Sequence, residues 1–220
     1  MEIARFRPLA ALSVVIIFSG CGTTYKPTLT RLDPVGLNSR KVTVGDLTVY
    51  AEEYLSAGKS ERAFDTNLRE VNILPILVRI ENNGSDPYDI DLKTITLTGV
   101  SRLSPLTPGE VAGKAARDSV KQAVGWGLVV PIITIPAAVA LSTMNTTSVN
   151  SEMTVDFNRK GLTGGVLGGG EQRTGFLFYG VDQRGKSISG LTLEMTLRHS
   201  STNQFVAVMI ALPEIHFEGN

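Results

Sequence analysis

The chain of 220 residues carries 21 basic and 21 acidic side chains, so its formal net charge is zero. That balance argues against nucleic acid as a partner, because phosphate binding needs a basic footprint. A single cysteine rules out an internal disulfide, and two histidines with no cysteine partner leave a zinc site short of ligands.

Arg5 and Arg7 precede the apolar run that opens at Leu9 and closes at Phe18, ten residues long. A bilayer-spanning helix needs about 20 residues, so this run does not span. A positive start followed by a short apolar run is a secretory signal. The run ends in Phe18-Ser19-Gly20-Cys21, which resembles the bacterial lipobox, although Phe18 stands where an aliphatic residue is usual. The resemblance implies a signal peptide over 1–20, cleavage before Cys21 and acylation of that cysteine. An ordinary signal peptide or an uncleaved anchor is the plainer alternative. Acylation explains why the chain keeps one odd cysteine. Several acyl chains, at about 0.8 kcal/mol per buried methylene, hold where a single chain would exchange. Gly22, by the same resemblance, implies the outer membrane, facing the periplasm.

Residues 21–41 show no apolar periodicity and hold Pro27, Pro34 and Gly36, which reads as a flexible tether. An ordered arm packed on the domain is the other reading. From residue 42 to 220 the pattern predicts one domain. Val42 and Val44, then Leu47, Val49 and Ala51, alternate in two sets separated by Gly45-Asp46, a turn or bulge signal. Lys59-Ser60-Glu61-Arg62 reads as a solvated loop. Ile76, Val78 and Ile80 define the clearest strand, with Pro75 expected at its start or edge. Asn82 to Pro87 is a dense turn signal. Tyr88, Ile90 and Leu92, then Ile95 and Leu97, continue the alternation. The stretch ILPILVRIENNGSDPYDID resembles the opening hairpin of immunoglobulin-like sandwiches in bacterial envelope lipoproteins. The resemblance extends over about 42–100 and 150–212. It implies an Ig-like antiparallel sandwich.

The alternation breaks at Pro108. Val111, Ala112, Ala115, Ala116, Val120, Ala123 and Val124 recur at helical spacing, so Glu110 to Val124 is predicted to be a helix. The uncharged stretch Gly125 to Leu141 follows, interrupted by Pro131 and Pro136. It reads as a buried pair of short helices, placing the helical insertion at about 108–142. A hairpin that dips into the membrane or seals a partner surface is the sharper alternative. Trp126, Leu128, Ile132, Ile133 and Ile135 are its candidate contact residues. Prolines leave backbone acceptors unpaired, which bare lipid penalises by several kcal/mol per group. Beyond it, Met153, Val155 and Phe157 alternate like a strand. Phe176 to Tyr179 is a strand apolar on both faces. Leu191, Leu193, Met195 and Leu197 alternate with polar residues, and Phe205 to Leu212 reads as a central strand buried on both faces. The expected fold is mainly β, an antiparallel sandwich of about seven to nine strands with one inserted helical hairpin.

No chemistry stands out. The glycines from Gly164 to Gly170 lack the Gly-Lys-Ser/Thr of a phosphate loop and read as a flexible hairpin loop. Asp86, Asp89 and Asp91 lack the closing Glu of a calcium loop, so a solvated strand face is expected. His199 lies beside Ser200 and Ser201, but no Gly-x-Ser-x-Gly elbow exists. Tyr88, Trp126 and Phe176 fall in apolar patterns and are expected in the core. The sequence predicts a lipid-anchored envelope interaction module that is not an enzyme, needs no cofactor and binds an envelope protein. A pore-associated component and a carrier of lipid or a small ligand are the alternatives.

Overall fold

The computed structural model describes residues 25, 39–99, 101–125, 151–181 and 187–216. The described chain is mainly β. Sheet A is formed by β1 (Arg40–Val44), β2 (Leu47–Glu53), β3 (Ile73–Asn82) and β8 (Gln172–Gly180), in the order β1-β2-β3-β8. All of its ladders are antiparallel. The β1–β2 hairpin turns at Gly45, whose φ of 58° suits a residue without a Cβ. Pro75 is the third residue of β3 and lies one position outside the ladder with β2, which ends at the pair Glu53 and Ile76. Its missing donor therefore costs that ladder nothing.

Sheet B is built on β10 (Thr192–His199). On one side β10 pairs with β11 (Phe205–Ala211). On the other it pairs with β4 (Tyr88–Ile90) and β5 (Thr96–Thr98), two collinear pieces separated by a 3-10 turn at Leu92–Thr94. β7 (Gly165–Leu167) continues the sheet beside β4, and β6 (Arg102–Leu103) beside β5. β1 runs alongside β11 and brings the two sheets together at one edge. A small ribbon pairs β9 (Ser187–Ile188) with β12 (Ile215–His216). The antiparallel sandwich-like fold expected from the alternation is present. It contains twelve strand segments among the described residues rather than seven to nine, because several are two- or three-residue pieces.

Three helices cover the outer face of sheet A at one end. α1 (Ala57–Phe64) starts at Ser56, whose hydroxyl accepts from the Lys59 amide at 3.4 Å. It stops at Asp65, which takes the left-handed conformation. α2 (Pro108–Gly125) opens on a capping box. Glu110 Oε2 accepts from the Thr107 amide at 2.7 Å, and Thr107 Oγ1 accepts from the Glu110 amide at 3.3 Å. The hydrogen bonds from Thr107 hold the Glu110 carboxyl below its ordinary range. Pro108 sits at the first helical position, where its absent N–H has no partner to lose. α3 (151–160) follows later in the chain.

Two cores result, and β3 and β8 serve both. Between the sheets lie Val49, Ile76, Val78, Ile80 and Leu177 against Leu193, Met195, Leu197, Val208 and Ile210. Beneath the helices lie Phe64, Leu77, Phe157, Phe176 and Phe178 with Val111, Ala112 and Met153. Phe64 meets Phe176 at 4.7 Å and Phe178 at 5.5 Å, both edge-on. Each such aromatic pair adds about 0.5–1.5 kcal/mol beyond area burial. Strict alternation along β8 sends Phe176 and Phe178 to the helices and Leu177 and Tyr179 to the opposing sheet, as the sequence predicts.

Three expectations are corrected. Lys59 to Arg62 is not a loop but the body of α1. It is held there because Ser60 is buried, donates to Thr66 O at 2.8 Å and accepts from the Leu68 amide at 2.9 Å. Met153, Val155 and Phe157 do not form a strand. They lie on α3, where Met153 and Phe157 are buried one turn apart and Val155 is 55% exposed. β11 is not buried on both faces. Only Val208 and Ile210 are buried along it, while Phe205 is 70% and Met209 62% exposed. Among the described residues nothing covers the outward face of sheet B there, so alternate apolar residues face out.

Candidate functional site

Lys160, Asp156 and Tyr25 build the most distinctive polar feature, and they do so within the helical layer. Asp156 and Lys160 are one turn apart on α3, so their side chains lie on the same face. Both are buried, and Lys160 Nζ lies 2.6 Å from Asp156 Oδ2. The ammonium also donates to the Ala63 carbonyl at the end of α1, at 2.5 Å, and lies 5.5 Å from the Phe64 ring centroid. Tyr25 then docks from the N-terminal segment. Its hydroxyl donates to Asp156 Oδ2 at 2.5 Å, and its ring is buried in the helical core. Asp156 Oδ2 thus serves two donors, while Oδ1 has no hydrogen-bond partner among the described residues. Burial and the adjacent Asp156 carboxylate push the Tyr25 hydroxyl well above its usual titration range. The segment expected to be a flexible tether is therefore fixed to the domain at Tyr25. Residues 26–38 lie outside the described residues.

A second feature is an apolar cavity of about 340 Å³ along the outer edge of β8. The Leu106 amide donates to Phe178 O at 2.7 Å, and the Leu162 amide donates to Phe176 O at 2.9 Å. The two segments stand apart, and Leu92, Pro105, Leu106, Leu162 and Leu177 line the space between them. Lys93, Ser104 and Thr107 carry the polar side chains at its wall. The chain approaches β8 this closely because residue 175 is glycine. A Cβ there would lie 2.5 Å from the Leu162 backbone.

The other candidates disperse. Asp89 pairs with Arg198 at 2.7 Å, and Asp91 caps the 3-10 turn through the Lys93 amide. Asp86 Oδ2 stands 3.7 Å from His199 Nε2. The three carboxylates do not converge, and among the described residues no cluster is arranged to hold a metal ion. Ser201 Oγ donates to Asp86 Oδ1 at 3.4 Å rather than to the imidazole, whose Nδ1 accepts from the Thr202 amide at 3.3 Å. Ser201 and His199 thus do not share the hydrogen bond of a nucleophile and its base. His216 lies exposed on β12, 4.0 Å from Glu214. Tyr88 packs edge-on against His199 with centroids 5.0 Å apart, and Phe176 belongs to the helical core.

The glycine cluster is not a free loop. It supplies β7 and a turn seated on the Asn82–Pro87 turn, where a Cβ on Gly169 would meet Ser85 O at 2.5 Å. Asn82 ties the two turns together. Its side-chain amide donates to Asp86 O at 2.8 Å and Gly168 O at 2.9 Å, and its Oδ1 accepts from the Gly84 amide at 3.1 Å.

Cys21, Trp126, Leu128, Ile132, Ile133 and Ile135 all lie outside the described residues. Sequence reasoning missed Tyr25, Asp156 and Lys160. Their available signals were a lone aromatic in a polar stretch and an Asp-Lys pair at helical spacing. Among the described residues no helix is long and apolar enough to cross a membrane.

The chain is similar in structure to a crystallised candidate lipoprotein (ycdA) from Bacillus subtilis subsp. subtilis str. 168, at 15% sequence identity and a TM-score of 0.37. The match covers 79% of this chain and 38% of that one, so the matched part is well under half of that protein's length. No family model matches the chain. No curated protein matches it either.

Proposed function

We propose that this protein is an envelope lipoprotein, acylated at Cys21 and held at the outer membrane facing the periplasm, and that it serves as a non-catalytic interaction module for another envelope protein. The observation that carries the reading is the placement of the sole cysteine. It stands three residues after the end of the Leu9 to Phe18 apolar run, behind the small pair Ser19-Gly20, and four residues before the docked Tyr25. The Ig-like relationship of the sandwich belongs to the same reading, supported by the β3–β4 turn and the alternation that flanks it. The exposed apolar row of Phe205 and Met209 on β11 is the surface offered to a protein partner. No cofactor enters the reading.

Growth of expressing bacteria with an alkyne fatty acid tests the anchor. The wild-type protein should take up the label, and Cys21→Ser should lose it. A labelled Cys21→Ser protein would retire the reading. Photo-crosslinking in cells from position 207, between Phe205 and Met209, tests the partner, and the absence of any reproducible protein adduct would overturn the interaction role.

A second reading draws on the apolar cavity beside β8, which suits a carrier of a lipid or small apolar ligand. Native mass spectrometry of the purified protein should then show a co-purifying mass. The remaining alternative, a pore-associated component, turns on 125–141, of which 126–141 lie outside the described residues.

A further inference from the structure

The latch at Tyr25 fixes more than a tether. Tyr25 is four residues from Cys21. At about 3.3–3.6 Å per residue, even a fully extended chain reaches only about 14 Å. An acyl anchor at Cys21 therefore cannot stand far from the place where Tyr25 docks. That place is the helical layer, between the end of α1 and α3. A long free tether would let the domain tumble and present any side to the bilayer. A buried tyrosine joined to a buried Asp-Lys pair does not allow this.

The opposite side of the molecule is the outward face of sheet B, where Thr192, Glu194, Thr196 and Arg198 alternate with the core residues of β10. It is the side farthest from the attachment.

We infer that the Tyr25–Asp156–Lys160 latch turns the helical layer of α1 and α3 toward the lipid surface and leaves the outward face of sheet B, with Phe205 and Met209, turned away from it toward the periplasm. The membrane is the partner of the helical face. The inference rests on acylation at Cys21.

Reconstitution of the full-length, acylated protein into phosphatidylethanolamine/phosphatidylglycerol vesicles tests it. Asn158→Cys places a thiol on the exposed side of α3, and Ala207→Cys places one on the outward face of sheet B. An acylated Cys21 has no free thiol, so the wild-type protein should take no maleimide dye. Dye on the wild-type protein, or failure of the protein to float with vesicles, would sink the acylation reading itself. With acylation established, nitroxide-labelled lipid headgroups should quench a dye at position 158 severalfold more than a dye at position 207. Equal quenching at the two positions would overturn the orientation while leaving the anchor intact. Tyr25→Ala should reduce quenching at 158 to the level at 207. Retention of the full difference in a folded Tyr25→Ala protein would show that the latch does not set the orientation. Tyr25→Phe keeps the buried ring and should give an intermediate loss.

Discussion

Lys160 shows how one residue can hold three pieces of chain. It pairs with Asp156, satisfies the Ala63 carbonyl near the end of α1 and leaves Asp156 available to Tyr25. A buried pair is a weak source of net stability, but removing one partner strands the other. Lys160→Met should therefore lower unfolding free energy by about 3–5 kcal/mol in urea titrations. Replacing both members, Asp156→Leu with Lys160→Met, should recover most of that loss, because no charge is then left buried. Tyr25 adds a pH dependence of definite sign. Its folded pKa is raised, so its contribution is complete below the unfolded value of about 10 and is lost as pH rises beyond it. Tyr179, buried with no partner for its hydroxyl among the described residues, behaves likewise. Above about pH 10 each should cost about 1.4 kcal/mol per pH unit. Tyr25→Phe should make the alkaline slope of stability, measured by urea titration between pH 10 and 11, shallower, with the raised Tyr179 and Tyr88 hydroxyls supplying part of what remains. An unchanged slope would mean that Tyr25 is not buried in solution.

Elements differ in how plainly the sequence announces them, and the difference is physical. β10 is legible because it faces core and solvent at alternate residues, and β3 and β8 because they carry apolar runs buried on both faces between the two cores. α2 is legible from its period and from Pro108 at its start. α3 is hidden because its buried set, Met153, Asp156, Phe157 and Lys160, includes two charges. Read for apolar residues alone, Met153, Val155 and Phe157 mimic a strand. α1 is hidden because its last turn supplies nearly all of its apolar surface and its buried Ser60 looks solvated. β11 misleads in the opposite sense, since an edge strand that keeps apolar residues outside reads as a central one. The Tyr25 latch was not readable from spacing, because it joins residues 131 positions apart. The glycines are more demanding than a loop reading implies. Gly175 lies inside β8 with a φ that any residue adopts, yet the Leu162 backbone occupies its Cβ position. Gly175→Ala should force the 161–162 segment off the strand and cost about 3 kcal/mol, the upper end for overpacking. Hydrogen exchange should show the Leu162 amide losing protection first, since its bond to Phe176 O is the one displaced.

At the scale of the molecule, two cores on one sheet raise the question of whether the helical layer unfolds by itself. β3 sends Leu74, Ile76, Val78 and Ile80 to the sandwich and Ile73 and Leu77 to the helices, and β8 divides its residues the same way. Neither core keeps its packing surface if those strands move. Phe157 belongs only to the helical core, where it touches Phe64 and Phe178 with centroids 5.3 and 5.6 Å away. Phe157→Ala removes a fully buried ring and should cost about 3–5 kcal/mol. If the shared strands couple the cores, this loss appears as a lower midpoint of one transition. Far-UV circular dichroism, which reads the helices and strands together, and an environment-sensitive dye at position 207 on sheet B should then give coincident urea curves. A variant whose dye signal holds its wild-type midpoint while helicity melts earlier would show a helical layer that opens independently. In that case the latch, which lies wholly within that layer, would release Tyr25 without unfolding the sandwich. Coincident curves instead mean that the anchor-side face persists for as long as the domain is folded, because the strands that build the sandwich also build the floor on which Tyr25 docks.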